Sequence, residues 1–343
     1  MNATALTLPP RSRLNTVPRT RPQGLAFAAT FAGLTIAAAV LAGAVPVRFS
    51  IATVFLFAGP HNWLEARYVL GRLPARVGKL RGFFLLSATG IIGLTAAFAL
   101  LPWLVADISD PATIGSLYAM WNSAFLFWVA ALIVTRSRTN PRFDGGWVWP
   151  VALLFTAGVW LEPVALNVAL VYLHPLLALV LLDRELGRSR REWRVTYRWA
   201  VLLVPVGLAA LWWQLGNAPD LPGTDTLTAT ITAHAGADFL EGVSTHFLVA
   251  AHTFLEMVHY GAWVVLIPLV GLRAWPWQLG VIPAARRGPG WLRGIAVILL
   301  VGLAVVVTLW VCFSLNYEMT RSVYFTIAML HVLAEIPFLL RMV

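Results

Sequence analysis

Histidine and glutamate recur four residues apart at three places in this chain: His61 and Glu65 in GPHNWLEARY, His252 and Glu256 in HTFLEMVH, and His331 and Glu335 in HVLAE. With 7 histidines and only eight glutamates among 343 residues, chance should produce less than one such match. On a helix, residues i, i+3, i+4 and i+7 share a face. Each pair therefore forms a polar stripe, and His259 extends the second stripe by another turn. Imidazole suits zinc, copper, iron and nickel, and mixed histidine and carboxylate ligation with open positions suits non-heme iron. A carboxylate in such a site either binds the ion itself or holds an imidazole through its second nitrogen. The candidate metal ligands are His61, His252, His259, His331 and His174, and the candidate catalytic carboxylates are Glu65, Glu256 and Glu335.

The surroundings sharpen that reading. The chain is 59% hydrophobic and only 12% charged, about half the charged content of a soluble domain. Apolar runs of membrane-crossing length recur at 25–45, 51–71, 83–105, 116–135, 147–161, 163–182, 199–216, 243–270, 292–314 and 323–341. The expected fold is all-α, a polytopic membrane protein of about ten spans. Residues 1–24, polar, Pro-rich and basic, form a disordered tail, and 25–343 form a single helical domain. The short fifth span, followed by Glu162-Pro163, can instead be half of a broken hairpin over 147–182.

With the tail in the cytoplasm, every basic residue except Arg48 and Arg321 falls on the inner side, as the positive-inside rule requires. Arg76, Arg142 and Arg273 are among them. The expected location is the cell membrane, with both termini cytoplasmic. Tryptophan agrees, since its ring prefers the interface: Trp147, Trp149, Trp193, Trp199, Trp275, Trp277 and Trp291 lie near the inner boundary, and Trp103, Trp212, Trp213 and Trp310 near the outer one. Topology thus accounts for the net charge of +10, and no nucleic-acid partner is expected. One cysteine, Cys312, excludes an intramolecular disulfide and a thiolate cluster. The external connection 217–241 is placed to cap a cavity.

Counted from these boundaries, His61, His252 and His331 lie at one level near mid-membrane, with His259 about two turns deeper than His252. Ionisable residues there cost about 2.5 to 3.5 kcal/mol each and usually face a functional interior. A single pair is as well explained by a hydrogen bond between helices, worth about 0.6 kcal/mol, but three pairs at one depth point to a metal or cofactor. His174 precedes Pro175 and lacks a carboxylate at i+4, so ligand and structural roles stay open. His234 and His246 belong to the external side as solvated or capping residues, Asp183 and Glu185 to the interface, and Asn122, Asn167 and Tyr260 are candidates to line a cavity.

GPHNWLEARY resembles the Pro-His-Gly-x-x-Asp-His segment of the Brp/Blh-type bacterial β-carotene 15,15'-dioxygenases, polytopic proteins that cleave a carotenoid with histidine-bound iron and oxygen. His61 matches the motif histidine and Glu65 its acid, while Asn62 and Ala66 stand where the family has glycine and a second histidine. HTFLEMVH is similar to the family's paired-histidine helix, with a longer spacing. AMLHVLAEIPFLL is similar to its C-terminal Pro-His helix, with Met329-Leu330 before His331. The resemblance covers about a tenth of the chain. It implies a membrane-embedded oxidoreductase with Fe(II), acting on an apolar lipid or isoprenoid such as a carotenoid that enters from the bilayer. A divalent-metal transporter, with zinc as one possible ion, and a haem-binding redox protein are the alternatives.

Overall fold

A computed structural model describes residues 21–74, 78–139, 144–223, 225–271 and 278–342. The tail residues 1–20 and the positions of Arg76, Arg142, Arg273, Trp275 and Trp277 lie outside the described residues. Helix accounts for 86% of the structure, with no strand among the described residues.

The main helices are α1 (Arg21–Ala44), α2 (Pro46–Arg72), α3 (Arg81–Val105), α4 (Pro111–Ser137), α5 (Val148–Leu161), α6 (Ala165–Ser189), α7 (Arg194–Val201), α8 (Leu203–Leu215), α9 (Thr226–His234), α10 (Thr245–Gly261), α11 (Ile267–Gly271), α12 (Pro289–Leu315) and α13 (Tyr317–Met342). Eight segments are long and apolar enough to cross a membrane: those of α1, α3, α4, α6, α7 with α8, α10 with α11, α12 and α13. Each of the ten expected segments falls on a helix, but α2 and α5 are not among the eight. In α2 the cause is its polar set of His61, Asn62, Glu65, Arg67 and Arg72. The 14 residues of α5 reach only about 21 Å at 1.5 Å per residue, short of a hydrocarbon core about 30 Å thick. The expected break at Glu162-Pro163 separates α5 from α6, and the buried Asn122 side chain donates to the Pro163 carbonyl at 2.8 Å. Asn122 therefore caps the break and does not line the cavity.

Burial ranks the helices. Within the apolar window of α10 and α11, 67% of residues are buried, against 17% for α3 and for α12. Helix α10 is thus the axis of the bundle, and α3 and α12 are walls. Around α10 a core forms from α1, α6 and α8, including Phe31, Leu182, Leu211, Phe254 and Trp263. A second core joins α3, α4 and α13 through Phe83, Trp121, Trp128 and Leu333. Gly90 makes that packing close, since a Cβ there would overlap the Trp128 indole, which donates to Leu86 O of α3 at 2.9 Å.

The helices that carry the polar stripes run parallel. Tyr317 at the start of α13 donates to Ile51 O near the start of α2 (3.3 Å), and Arg341 near the end of α13 donates to Arg72 O at the end of α2 (2.6 Å). At that arginine end Glu185, fully buried, accepts the Tyr68 hydroxyl at 2.7 Å and pairs with Arg72. It therefore ties α6 to α2, where the sequence suggested an interface charge. Asp183, partly exposed, bridges Arg194 and Arg198.

The opposite end is covered by α9, capped by Asp225, whose carboxylate accepts from Thr228 N and Thr228 Oγ1 at 2.7 Å each. The Tyr172 hydroxyl pins this cap to the bundle by donating to Ala235 O at 2.8 Å. Of the tryptophans, Trp103, Trp199 and Trp213 are 81%, 71% and 91% exposed, as residues facing lipid or its interface would be, whereas Trp193 packs against Phe27 in the core.

Candidate metal centre

Four imidazoles converge inside the bundle, one from each of α2, α6, α10 and α13. The ring centroids of His61 lie 5.5 Å from His259 and 5.1 Å from His331. Those of His174 lie 4.7 Å from His259 and 5.1 Å from His331. One nitrogen from each of His61, His259 and His331 falls within 4.8 Å of the others, and His174, His259 and Glu335 form a second such group. His61 and His259 are buried.

Backbone carbonyls fix two of these rings. His61 Nδ1 lies 2.9 Å from Phe57 O and His259 Nδ1 lies 3.4 Å from Pro175 O. A carbonyl only accepts, so each Nδ1 carries the proton and each Nε2 keeps a lone pair. Both Nε2 atoms are buried and find no partner among the described residues. His174 and His331 bring their Nε2 atoms within 3.3 Å of each other, a distance that needs a proton or a cation between two lone pairs. A protein interior rarely leaves this many polar atoms unsatisfied. A nitrogen-binding cation at their centre satisfies them together, so the donor set fits a metal.

Prolines recur beside these residues. Pro60 precedes His61, Pro175 follows His174 and Pro337 lies two residues beyond Glu335. Each removes one helical hydrogen bond next to a site residue. The π-helical turn Ala262–Leu266 follows Tyr260, and such turns shift side-chain direction within a helix. From it the fully buried Trp263 indole donates to Glu335 Oε1 at 3.0 Å. Glu335 Oε2 stands 3.2 Å from His174 Nδ1. Glu65 is buried one turn beyond His61, has an unpartnered Oε2, and lies within electrostatic reach of Glu335. Of the three candidate carboxylates, Glu335 touches an imidazole of the cluster, while Glu256 accepts the Tyr260 hydroxyl at 2.8 Å.

A cavity of about 360 Å³ adjoins the cluster. His61, His174, His259 and His331 form its polar floor, and Phe98, Pro102, Leu170, Val171, Met329 and Val332 contribute apolar wall. Pro102 of α3, one of these wall residues, is itself exposed.

The structure revises the expected ligand set. His252 lies outside the cluster, its ring against Tyr172 (6.3 Å) and His234 (5.1 Å), and His174 takes the fourth place. The cause is helix length. Helices α2 and α13 begin five to six residues before the apolar runs do, which places His61 fifteen and His331 fourteen residues from their helix starts. The residue of α10 at that depth is His259, fourteen residues in, while His252 is only seven. His234, expected on the solvated side, lines the cavity, and so do Asn167 and Tyr260. Arg321, counted as an external charge, is buried with 2% of its surface exposed. His246 is the surface residue expected, its Nδ1 bonded to Pro219 O at 2.6 Å.

No protein-family model, no curated protein and no solved structure matches this chain.

Proposed function

We propose that this protein is a membrane-embedded, metal-dependent oxidoreductase, with non-heme iron as the metal, acting on an apolar lipid or isoprenoid held in the cavity. The carrying observation is the pair of buried, unpartnered Nε2 lone pairs of His61 and His259, each ring locked by a carbonyl on its Nδ1. His331 and His174 would complete the ligand set, and Glu335, anchored by Trp263, would orient His174. Iron held by these residues would supply the oxygen chemistry. The chain contributes rigid imidazoles, a carboxylate of fixed direction and walls that exclude water and orient an apolar substrate. Those walls favour a hydrocarbon ligand over a hydrated ion in transit. The resemblance at Gly59–Tyr68 and around His331 supports iron and an isoprenoid class. The same reading takes the chain as a ten-span protein of the cell membrane with both termini cytoplasmic, on the distribution of its arginines.

The test is metal analysis and an absorption spectrum of the full-length protein purified anaerobically, followed by oxygen uptake with an isoprenoid hydrocarbon. Stoichiometric iron without a Soret band, with uptake abolished by His61→Ala, is the expected result. A Soret band would establish haem instead, and absence of metal would refute the reading.

A further inference from the structure

The cap side of the cavity holds a second pair of imidazoles that the metal reading does not use. His252 on α10 and His234, the last residue of α9, meet with ring centroids 5.1 Å apart at an interplanar angle of 75°. Both line the cavity, and neither ring nitrogen is hydrogen-bonded to any described residue. Their positions are fixed by packing instead: His234 lies 4.2 Å from Phe325, and His252 faces Tyr172. At this end of the cavity, two imidazoles without partners leave hydrogen-bonding capacity for a ligand, because each neutral ring offers one donor and one acceptor.

The charges nearby select the kind of ligand. Arg321 stands 4.6 Å over the Phe325 ring, with its Nε and Nη2 unpartnered. Arg321 does not line the cavity, whereas Glu256 does. Among the described residues the chamber therefore presents no lysine or arginine to draw in an acidic head. A neutral oxygen, hydroxyl or carbonyl, matches the imidazoles without that requirement. His252 is seven residues before His259 on α10, about 10 Å along the helix. The wall shared by the two polar ends is mostly apolar, with Phe98, Pro102, Leu170, Val171, Met329 and Val332, and it also carries Asn167 and Glu256.

We propose that His234 and His252 form a recognition subsite for the neutral oxygen-bearing end, hydroxyl or carbonyl, of an elongated apolar ligand whose hydrocarbon part runs to the four-imidazole cluster. The inference rests on reading the cavity as an apolar substrate site. It adds a polar terminus to the substrate class and gives the cap helix α9 a part in recognition.

The experiment uses full-length protein in lipid nanodiscs without added metal, equilibrated with a C20 isoprenoid alcohol or its parent hydrocarbon, the retained ligand being counted by mass spectrometry. Wild-type protein should retain the alcohol about tenfold or more over the hydrocarbon, as expected where buried polar groups would otherwise stay unpaired. His252→Leu and His234→Leu should abolish the preference while still binding the hydrocarbon and, after loading, a full complement of iron. His252→Gln, which keeps a donor and an acceptor, should restore part of it. Equal retention of both probes by the wild type, retention of neither, or an unchanged preference in the double variant would overturn the proposal. So would loss of iron in either Leu variant, which would assign that residue to the metal centre. Because binding is read without iron, a selective but catalytically inactive protein would refute the oxidoreductase reading and leave the subsite standing.

Discussion

The two histidine layers use the same side chain about 10 Å apart and differ in what holds the rings. In the deep layer, carbonyls of Phe57 and Pro175 fix the protonated nitrogens of His61 and His259 and direct the lone pairs inward. In the cap-side layer, His234 and His252 are held by aromatic contacts alone, and their nitrogens stay free. A tied imidazole is prepared for a ligand that needs a fixed tautomer, as a metal does. An untied one can turn its donor or acceptor to suit a neutral oxygen.

If that contrast is correct, the largest effects come from the deep layer. His61→Ala or His259→Ala should weaken iron retention by about 100-fold or more, beyond the 10–100-fold usual for removing an outer hydrogen-bond partner. His61→Ala combined with His174→Ala should be strongly non-additive, whereas His61→Ala with His252→Leu should be additive within about 0.5 kcal/mol. Metal titration of the three single and two double variants reads both. Additivity in the first pair would dissolve the deep cluster into unrelated groups.

Next in size is the support of Glu335. Trp263→Phe keeps the ring and removes the donor to Oε1, so iron affinity should fall about tenfold with the fold intact by circular dichroism. An unchanged affinity would detach Glu335 from the metal centre.

A smaller effect separates stability from function. Tyr68→Phe removes a hydroxyl bonded to the buried Glu185 and should cost about 1.5–3 kcal/mol of stability, the range for hydrogen bonds to charged groups, measured by thermal unfolding in detergent. Iron stoichiometry should not change, because the arginine end lies beyond the cluster.

The smallest effect concerns the cap. Hydrogen bonds from Thr228 N and Oγ1 hold the Asp225 carboxyl below the ordinary carboxylate range. Its folded pKa is thus lower than its unfolded value of about 3.9. The stabilisation of α9 is present above that value and is lost as pH falls through the folded pKa. Asp225→Ala should speed hydrogen exchange in α9 at neutral pH, and acidification should add little to the variant while loosening the wild type. Exchange confined to α9 would show that the cap opens independently of the deep layer.

The sequence makes the helical, membrane-type architecture legible because apolar runs of sufficient length have few other uses. The polar stripes that carry His61, His259 and His331 are legible too, from the recurrence of histidine and glutamate four residues apart. What fails is register. Hydropathy marks where a run turns apolar, whereas α2 and α13 start earlier, at Pro46 and Tyr317. A shift of five to six residues is more than a turn, enough to exchange His252 for His259 at the level of the cluster. His174 has no i+4 carboxylate, and its support arrives from Glu335 on another helix, a pairing without local trace. His234 is placed by the folding of α9 over the bundle, and Arg321 is buried with its guanidinium over the Phe325 ring. Each of these depends on tertiary packing.

The most direct test of the metal centre is iron-edge X-ray absorption on the full-length protein loaded anaerobically, with His259→Ala and His252→Leu measured beside it. The expected result is one iron per chain in wild type and in His252→Leu, with a coordination shell dominated by imidazole nitrogens, and loss of that iron in His259→Ala. Wild-type protein without stoichiometric iron, or a spectrum unaltered by His259→Ala, would contradict it.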